Sequence, residues 1–512
     1  MAASCESLGS IKLADTTITQ AQIVAAGAFT PPGPAPSADA LASLKSLPQF
    51  CRVQGVIAST SDSHIEFEVW LPVAGWNGNI LGVGNGGFAG ALNYVVSSAN
   101  NVPGMAQALQ SGFATSSTDT GHKANGIDAK WALGHPEKLI DYGYRAIHET
   151  AVKTKAIVHA FYGQDPKHSY FSSCSNGGRQ ALMEAQRFPA DYDGIIAGAP
   201  AVPMTRVFLA FTMDMQQTEA NPAGYISEAK LPALDAAVVA ACDTLDGLKD
   251  GVIDDPRKCH FDPGALLCKG EDSDTCLTQP QVDAVKKIYQ GARTSKGEQL
   301  YPGFLPGGEA GTGGWRAWFT GTGPGKSAQY QFATQGGAYI LFQNPDWDYR
   351  TLNLDRDSKI ADDTAGLRIN ANDPNLKAFQ SRGGKLILFH GWSDAALAPT
   401  GTIDYYQRLA STMGHKEAES FSRLYMVPGM QHCAAGPGPN SFREQILSAL
   451  DGWVANGTAP DKIIATRYKT DGDVASGVAR TRPLCPYPQV AQYKGSGSID
   501  EAANFACAAP KP

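Results

Sequence analysis

Three observations predict an α/β fold built on a mostly parallel sheet. Residues 385–390 (KLILFH) are an apolar run that reads as a buried parallel strand, and Ser422–Val427 (SRLYMV) again reads as a strand. Residues 168–173 (HSYFSS) form a short, aromatic, hydroxyl-rich run that passes through Gly177-Gly178 into RQALMEAQRF, where Ala181, Leu182, Ala185 and Phe188 recur at helical spacing. Each run is followed by a loop carrying a residue fit for chemistry, and open α/β sheets keep their sites beyond the carboxyl ends of their strands.

The elements follow in chain order. Residues 29–38 (FTPPGPAPSA) read as a Pro-rich connector between an N-terminal strand region and the core. In residues 64–72 (HIEFEVWLP), Ile65, Phe67, Val69 and Leu71 alternate onto one face of a strand. Residues 79–90 (NILGVGNGGFAG) then run from a second short strand into a glycine-rich turn, in which Gly86 and Gly87 bring bare backbone N–H groups close to a substrate oxygen. The alternative is a tight hairpin turn; a dinucleotide fingerprint is excluded, because no GxGxxG leads into a helical pattern with a later acidic residue.

The strand, sharp turn and helix around Ser175 have the layout of a nucleophile elbow. Such elbows carry Gly two places either side of the serine; residues 173–177 (SCSNG) keep the second Gly and place Ser173 at the first. Read alone, the segment also fits a Ser/Gly turn capping a helix. Its neighbourhood favours catalysis: Cys174 adjoins Ser175, as Cys433 adjoins His432, so a bond between these cysteines would pin a serine beside a base able to take its proton. Residues 391–394 (GWSD) deliver Asp394 after one apolar run, and residues 428–433 (PGMQHC) deliver His432 after the next. Ser, Asp, His is the chain order of an α/β-hydrolase triad. Taken singly, Asp394 also reads as a helix N-cap and His432 as a loop histidine bonded to backbone.

After the strand around residues 195–197 no comparably buried strand appears until Lys385. The intervening stretch is too long for a loop, so residues 1–200 and 381–512 are read as the catalytic domain and 201–380 as an inserted lid. Trp315, Trp318, Tyr339, Phe342 and Trp347 are its candidate pocket aromatics. Residues 242–255 (CDTLDGLKDGVIDD) hold Asp243, Asp246 and Asp250 in a glycine-containing turn, a set of hard oxygen ligands suited to Ca²⁺, though not an EF-hand; the alternative is a solvated acidic turn.

A net charge of -7 offers no basic stripe for nucleic acid, and no run is apolar enough to cross a bilayer. Ten cysteines without a CxxC pair suit a disulfide framework and an oxidising compartment. A secreted or periplasmic protein is therefore expected, with a leader removed and Met1 as a processing or expression start.

These residues together resemble a known family. CSNGGR around Ser175, GWSD at Asp394, HC at Cys433 and the acidic CDxxDGxxDGVIDDP match the tannase and feruloyl esterase family over nearly the whole chain. The resemblance implies an α/β-hydrolase fold with a large inserted lid domain, a Ser175, His432 and Asp394 triad tied by a disulfide, and a structural Ca²⁺ in the lid, with no organic cofactor. Implied calcium ligands are the side chains of Asp243, Asp246 and Asp250 and the carbonyls of Leu248 and Val252. Implied disulfides are Cys5 with Cys51, Cys174 with Cys433, Cys242 with Cys259, Cys268 with Cys276, and Cys485 with Cys507. The N–H groups of Asn176 and of Gly86 or Gly87 would form the oxyanion hole. The implied substrate is a small aromatic ester, carried on a plant polysaccharide or polyphenol. Feruloyl esters lead, with galloyl esters or terephthalate monoesters as alternatives. A serine peptidase and a non-catalytic secreted binding module are the rival classes.

Overall fold

The computed structural model describes residues 3–33 and 36–510. The expected start at Met1 and the middle of the Pro-rich connector, Pro34-Ala35, lie outside the described residues. One nine-stranded sheet organises the chain: β1 (Thr16–Val24), β2 (Phe50–Ile57), β3 (Ile65–Pro72), β4 (Ile80–Val83), β5 (Ala114–Thr118), β6 (Ser169–Cys174), β7 (Gly194–Gly198), β8 (Lys385–Gly391) and β9 (Ser422–Val427). Its spatial order is β1-β2-β3-β5-β4-β6-β7-β8-β9. The first three strands and β5 pair antiparallel, and everything from β5 through β4 to β9 is parallel. This is the α/β-hydrolase arrangement.

β8 shows why its middle, Leu386–Phe389, is continuously apolar. Leu386 and Leu388 pack on one side of the sheet with Leu182, Ala185 and Phe379, while Ile387 and Phe389 pack on the other with Tyr170, Phe442 and Leu450. Each fully buried side chain contributes about 1.5–3 kcal/mol relative to exposure, so neither face tolerates a polar residue cheaply. β6 crosses to β7 through α2 (Asn176–Arg187), whose buried Ala181, Leu182 and Ala185 realise the expected helical stripe, and α1 (Ala146–Tyr162) precedes β6. α2 lies close against β7 because a Cβ at Gly178 would sit 2.2 Å from the Gly198 carbonyl oxygen.

Between the adjacent strands β7 and β8 the chain runs through residues 199–384, largely helical, starting with α3 (Met204–Thr218). Its only sheet is a hairpin of Ala292–Arg293 with Gln299–Tyr301 among the described residues. This insertion has its own core, including Phe208, Phe211, Val285, Ile288, Trp315 and Ile340, and that core continues into Phe88 and Ala395–Ala398 of the loops at the strand ends. The insertion core ends near Ile369: Ala371, Leu376 and Phe379 pack with the sheet instead, so the last residues before Lys385 belong to the catalytic body. The ten cysteines form five disulfides, in the pairs the resemblance implies. No helix among the described residues is long and apolar enough to cross a membrane.

Candidate active site

Ser175 follows the last residue of β6 and takes φ 67° and ψ −127°, a left-handed backbone that a non-glycine residue adopts only when its surroundings impose it. Its N–H donates to the Gly198 carbonyl at 2.9 Å, and its own carbonyl accepts from the Arg179 N–H at 3.0 Å, which fixes the turn between strand and helix. Ser173 is tolerated at the elbow's first glycine position because glycines face it. A Cβ at Gly177 would lie 1.8 Å from the Ser173 hydroxyl oxygen, and one at Gly84 would lie 2.9 Å from its Cβ.

Asp394 stands beyond β8, 3 % exposed. One carboxylate oxygen accepts the N–H groups of Ala396 and Leu397 at 2.8 and 2.9 Å. The other is 2.8 Å from His432 Nδ1 and 3.0 Å from His390 Nε2. Burial alone would raise this carboxyl, but the His432 charge and the hydrogen bonds from His390 and His432 outweigh it and hold it well below the usual carboxylate range. Because the carboxylate only accepts, His432 carries a proton on Nδ1, which leaves Nε2 the nitrogen able to accept one. By the same reasoning His390 donates from Nε2 and accepts the Thr402 hydroxyl at Nδ1, 2.7 Å away. Reading the sequence does not reach His390. Its signal is a histidine closing an apolar strand four residues before the acid.

The His432 loop is held from three sides. Cys433 bonds Cys174 with Cα atoms 6.1 Å apart, and the Asn101 amide donates to the Cys433 carbonyl at 3.1 Å. Gln431 Nε2 donates to the Gly308 carbonyl of the insertion at 2.8 Å. Trp318 presents its ring edgewise to His432, centroids 5.2 Å apart.

Ser175 and His432 face two connected spaces. One is a slot of about 40 Å³ lined by Gly87, Asn176, Met204, Val207, Phe208, Phe211, Trp318, Phe332 and Leu397. The other is an open cleft of about 510 Å³ that includes Gly86, Gly87, Asn85, Asn93, Asn100 and again Trp318. Of the five candidate pocket aromatics, Trp318 alone lines these spaces. Trp315, Tyr339, Phe342 and Trp347 pack in or against the insertion's own core, while Phe208, Phe211 and Phe332 take the wall instead. Gly87 adopts φ 55°, and a Cβ there would lie 2.1 Å from the Gly126 carbonyl oxygen; a Cβ at Gly86 would meet nothing. Asn176 is the first residue of α2, so its N–H has no acceptor within the helix.

The acidic turn encloses a small cavity of about 10 Å³, enough for one water-sized body, lined by Asp246, Asp250, Val252 and Asp254 together with Arg482 and three apolar residues. Asp243 turns its carboxylate to the N–H groups of Asp250 and Gly251, at 3.2 and 3.0 Å, and Leu248 lines a neighbouring pocket instead. Asp250 also meets Arg482 at 2.7 Å and Arg480 at 3.0 Å. Asp254 joins the set through the turn's fold, which the spacing of the other aspartates does not reveal.

Known proteins resemble this chain in sequence and fold. A family model described as tannase and feruloyl esterase matches residues 51–508. An uncharacterized esterase of Xanthomonas campestris pv. campestris is 40% identical, covering 99% of this chain and 91% of its own. A mono(2-hydroxyethyl) terephthalate hydrolase of Piscinibacter sakaiensis is 37% identical over 93% of this chain and 87% of its own. The crystal structure of feruloyl esterase B from Aspergillus oryzae superposes with a TM-score of 0.85 at 30% identity, covering 98% of this chain and 99% of that one. With the fold, the disulfide pattern and these relatives in agreement, the chain belongs to the tannase and feruloyl esterase family of carboxylic ester hydrolases.

Proposed function

We propose that this esterase cleaves esters of uncharged aromatic acids, with hydroxycinnamoyl esters of the ferulate type preferred, by two-step acyl transfer through Ser175. His432 Nε2 takes the serine proton as Oγ attacks the ester carbonyl, and Asp394 holds the imidazole in that tautomer and stabilises its charged form. The N–H groups of Asn176 and of Gly86 or Gly87 receive the oxyanion. The alcohol leaves with the proton from His432, and a water activated by the same histidine releases the acid.

The observation that carries the substrate reading is the wall of the slot. Apart from His432, no charged side chain lines it among the described residues. Seating the free carboxylate of a terephthalate monoester there would leave a charge without a partner, and the three hydroxyls of a galloyl group would lose water at about 1–3 kcal/mol for each one left unsatisfied. A cinnamoyl ring with a single hydroxyl and a methoxy group suffers least. On the alcohol side, the wide cleft with Asn85, Asn93, Asn100 and the Trp318 ring suits a bulky polyhydroxylated alcohol, such as a sugar of a plant polysaccharide. The five disulfides favour an extracellular or periplasmic setting. A side-by-side panel tests this reading: methyl ferulate should exceed methyl gallate, and should exceed the terephthalate monoester by at least about tenfold in kcat/KM, the equivalent of 1.4 kcal/mol. A terephthalate monoester ranking first overturns it, and inertness toward all three favours a binding module.

A structural Ca²⁺ in the acidic turn is part of the same proposal. The hard oxygens of Asp246, Asp250 and Asp254 around a cavity of single-ion size support it, with Asp243 and the carbonyls of Leu248 and Val252 as the remaining candidates. The ion would brace the insertion against the strand Val478–Leu484 through Asp250 and its arginines, without taking part in ester cleavage. Excess chelator should lower the melting temperature while Ca²⁺ restores it, by mass action on the folded state. An unchanged melting temperature and no metal by elemental analysis would count against the ion.

A further inference from the structure

Directly beneath the proposed oxyanion hole lies a cation that the mechanism above leaves without a task. Arg179, on the first turn of α2, is 0 % exposed. Its Nε donates to Asn176 Oδ1 at 2.8 Å, and its other nitrogens donate to the carbonyls of Gly143 at 2.7 Å, Tyr142 at 3.0 Å and Ile369 at 3.3 Å. The guanidinium also lies 4.8 Å from the Tyr142 ring centroid. Among the described residues no carboxylate is within ion-pairing distance of it. A charge buried with only neutral partners costs several kcal/mol, and a purely structural role at this site needs hydrogen bonds, not charge.

The atoms that Arg179 touches are those of the oxyanion hole. Asn176 Oδ1 receives Arg179 and lies 3.0 Å from the Tyr142 hydroxyl, which is also 3.0 Å from the Gly87 carbonyl. Asn176 Nδ2 donates to the Asn85 carbonyl at 3.1 Å. Every polar atom of the Asn176 side chain is therefore engaged, which fixes a residue that lines the slot and whose backbone N–H has no acceptor within the helix. The Tyr142 hydroxyl spans from that residue to the glycine turn opposite. Both sides of the hole rest on one network, and the network carries a full positive charge.

We propose that Arg179 is the charge-supplying positioning residue of the oxyanion hole: acting through Asn176, it orients the hole, and its uncompensated charge is balanced only when the tetrahedral oxyanion forms. Interactions stronger in the transition state than in the ground state are those that raise kcat. This rests on the reading of Ser175 as nucleophile and of the Asn176 N–H as donor. The test compares Arg179→Met, Arg179→Lys and Asn176→Ala with the parent enzyme. An aryl trifluoromethyl ketone, which adds to the serine as an oxyanion, reports the transition state; the matching primary amide is a neutral ground-state analogue. Arg179→Met should lose about a hundredfold in kcat and in ketone affinity together, the scale of losing one oxyanion donor, with amide affinity and KM within about threefold. Arg179→Lys should recover at least about tenfold of both, because it returns the charge. Should Arg179→Met not fold, Asn176→Ala, which leaves the guanidinium on its carbonyls and cuts its link to the hole, should show the same selective loss of ketone affinity. Parallel loss of ketone and amide affinity, a lysine variant no better than methionine, or Asn176→Ala with unchanged ketone affinity overturns the proposal. Ser175→Ala must abolish covalent ketone binding. If it does not, the nucleophile assignment has failed and not the role of Arg179.

Discussion

Ser175→Ala should fold like the parent enzyme and lose ester hydrolysis by about a millionfold, the scale seen when a triad serine is removed. The two halves of this expectation have separate grounds. Stability should be retained because Ser175 faces the open spaces at the strand ends and its backbone is fixed by main-chain bonds to Gly198 and Arg179, which alanine makes equally well. Activity should vanish because Ser175 is the hydroxyl that shares both spaces with His432, and because the left-handed elbow presents it at the N-terminus of α2. Turnover of methyl ferulate within about tenfold of the parent, measured on a variant with an unchanged melting curve, would overturn the assignment, since an intact oxyanion hole alone retains only a small remnant of the rate.

What the sequence reveals here divides along a physical line. Elements whose burial is symmetric are legible. The middle of β8 and the second half of β9 lie between two core layers, so Leu386–Phe389 and Leu424–Val427 are apolar without interruption, and the runs 385–390 and Ser422–Val427 mark the strands almost to the residue. The proposed triad is legible for a related reason: open α/β sheets keep their sites at strand ends, so locating three strands locates three candidate residues. The covalent pairing of Cys174 with Cys433 reinforces this, because each cysteine adjoins one of them.

The insertion is less legible, since nothing in an aromatic residue's local sequence tells whether it will face its own core or a pocket. Trp315 and Trp318 are three residues apart on one short helical segment. Trp315 is packed among Phe319 and Tyr289, while Trp318 turns to His432. That difference is tertiary: Gln431 bonds Gly308, tying the insertion to the histidine loop beside which Trp318 stands. The same limit hides Arg179 and Tyr142. A GGR sequence after a serine reads as a helix start, and only the tertiary fold shows the guanidinium buried with Asn176 as its partner. His390 is hidden because its polar partner, Asp394, arrives from the next turn of the chain.

Loss of the disulfide beside Ser175 and His432 should also slow the enzyme strongly. Cys174 and Cys433 are 259 positions apart, and closing so long a loop restricts the unfolded chain by an amount worth about 5 kcal/mol before strain and residual structure reduce it. Its local action is more specific. The His432 loop keeps other anchors when the bond is removed: Asp394 still orients the imidazole, Asn101 still holds the Cys433 backbone, and Gln431 still ties the loop to the insertion. None of these reaches β6. The direct tie between the serine strand and the histidine loop is the S–S bond, so its loss should leave the imidazole correctly turned but allow its distance from Ser175 to drift. Misplacement on the order of 1 Å costs about a hundredfold in rate. A Cys174→Ala, Cys433→Ala double variant, assayed well below its own melting temperature, should therefore lose about a hundredfold in kcat. Removing the Cys485 to Cys507 bond, which ties the end of strand Val478–Leu484 to strand Phe505–Ala508, should leave kcat within about threefold when assayed at the same margin below its melting temperature. Equal losses in the two double variants would reduce the bond beside the triad to a stabiliser like the others. Recovery of Cys174 as a free thiol in non-reducing peptide maps of the active enzyme would remove the tie altogether.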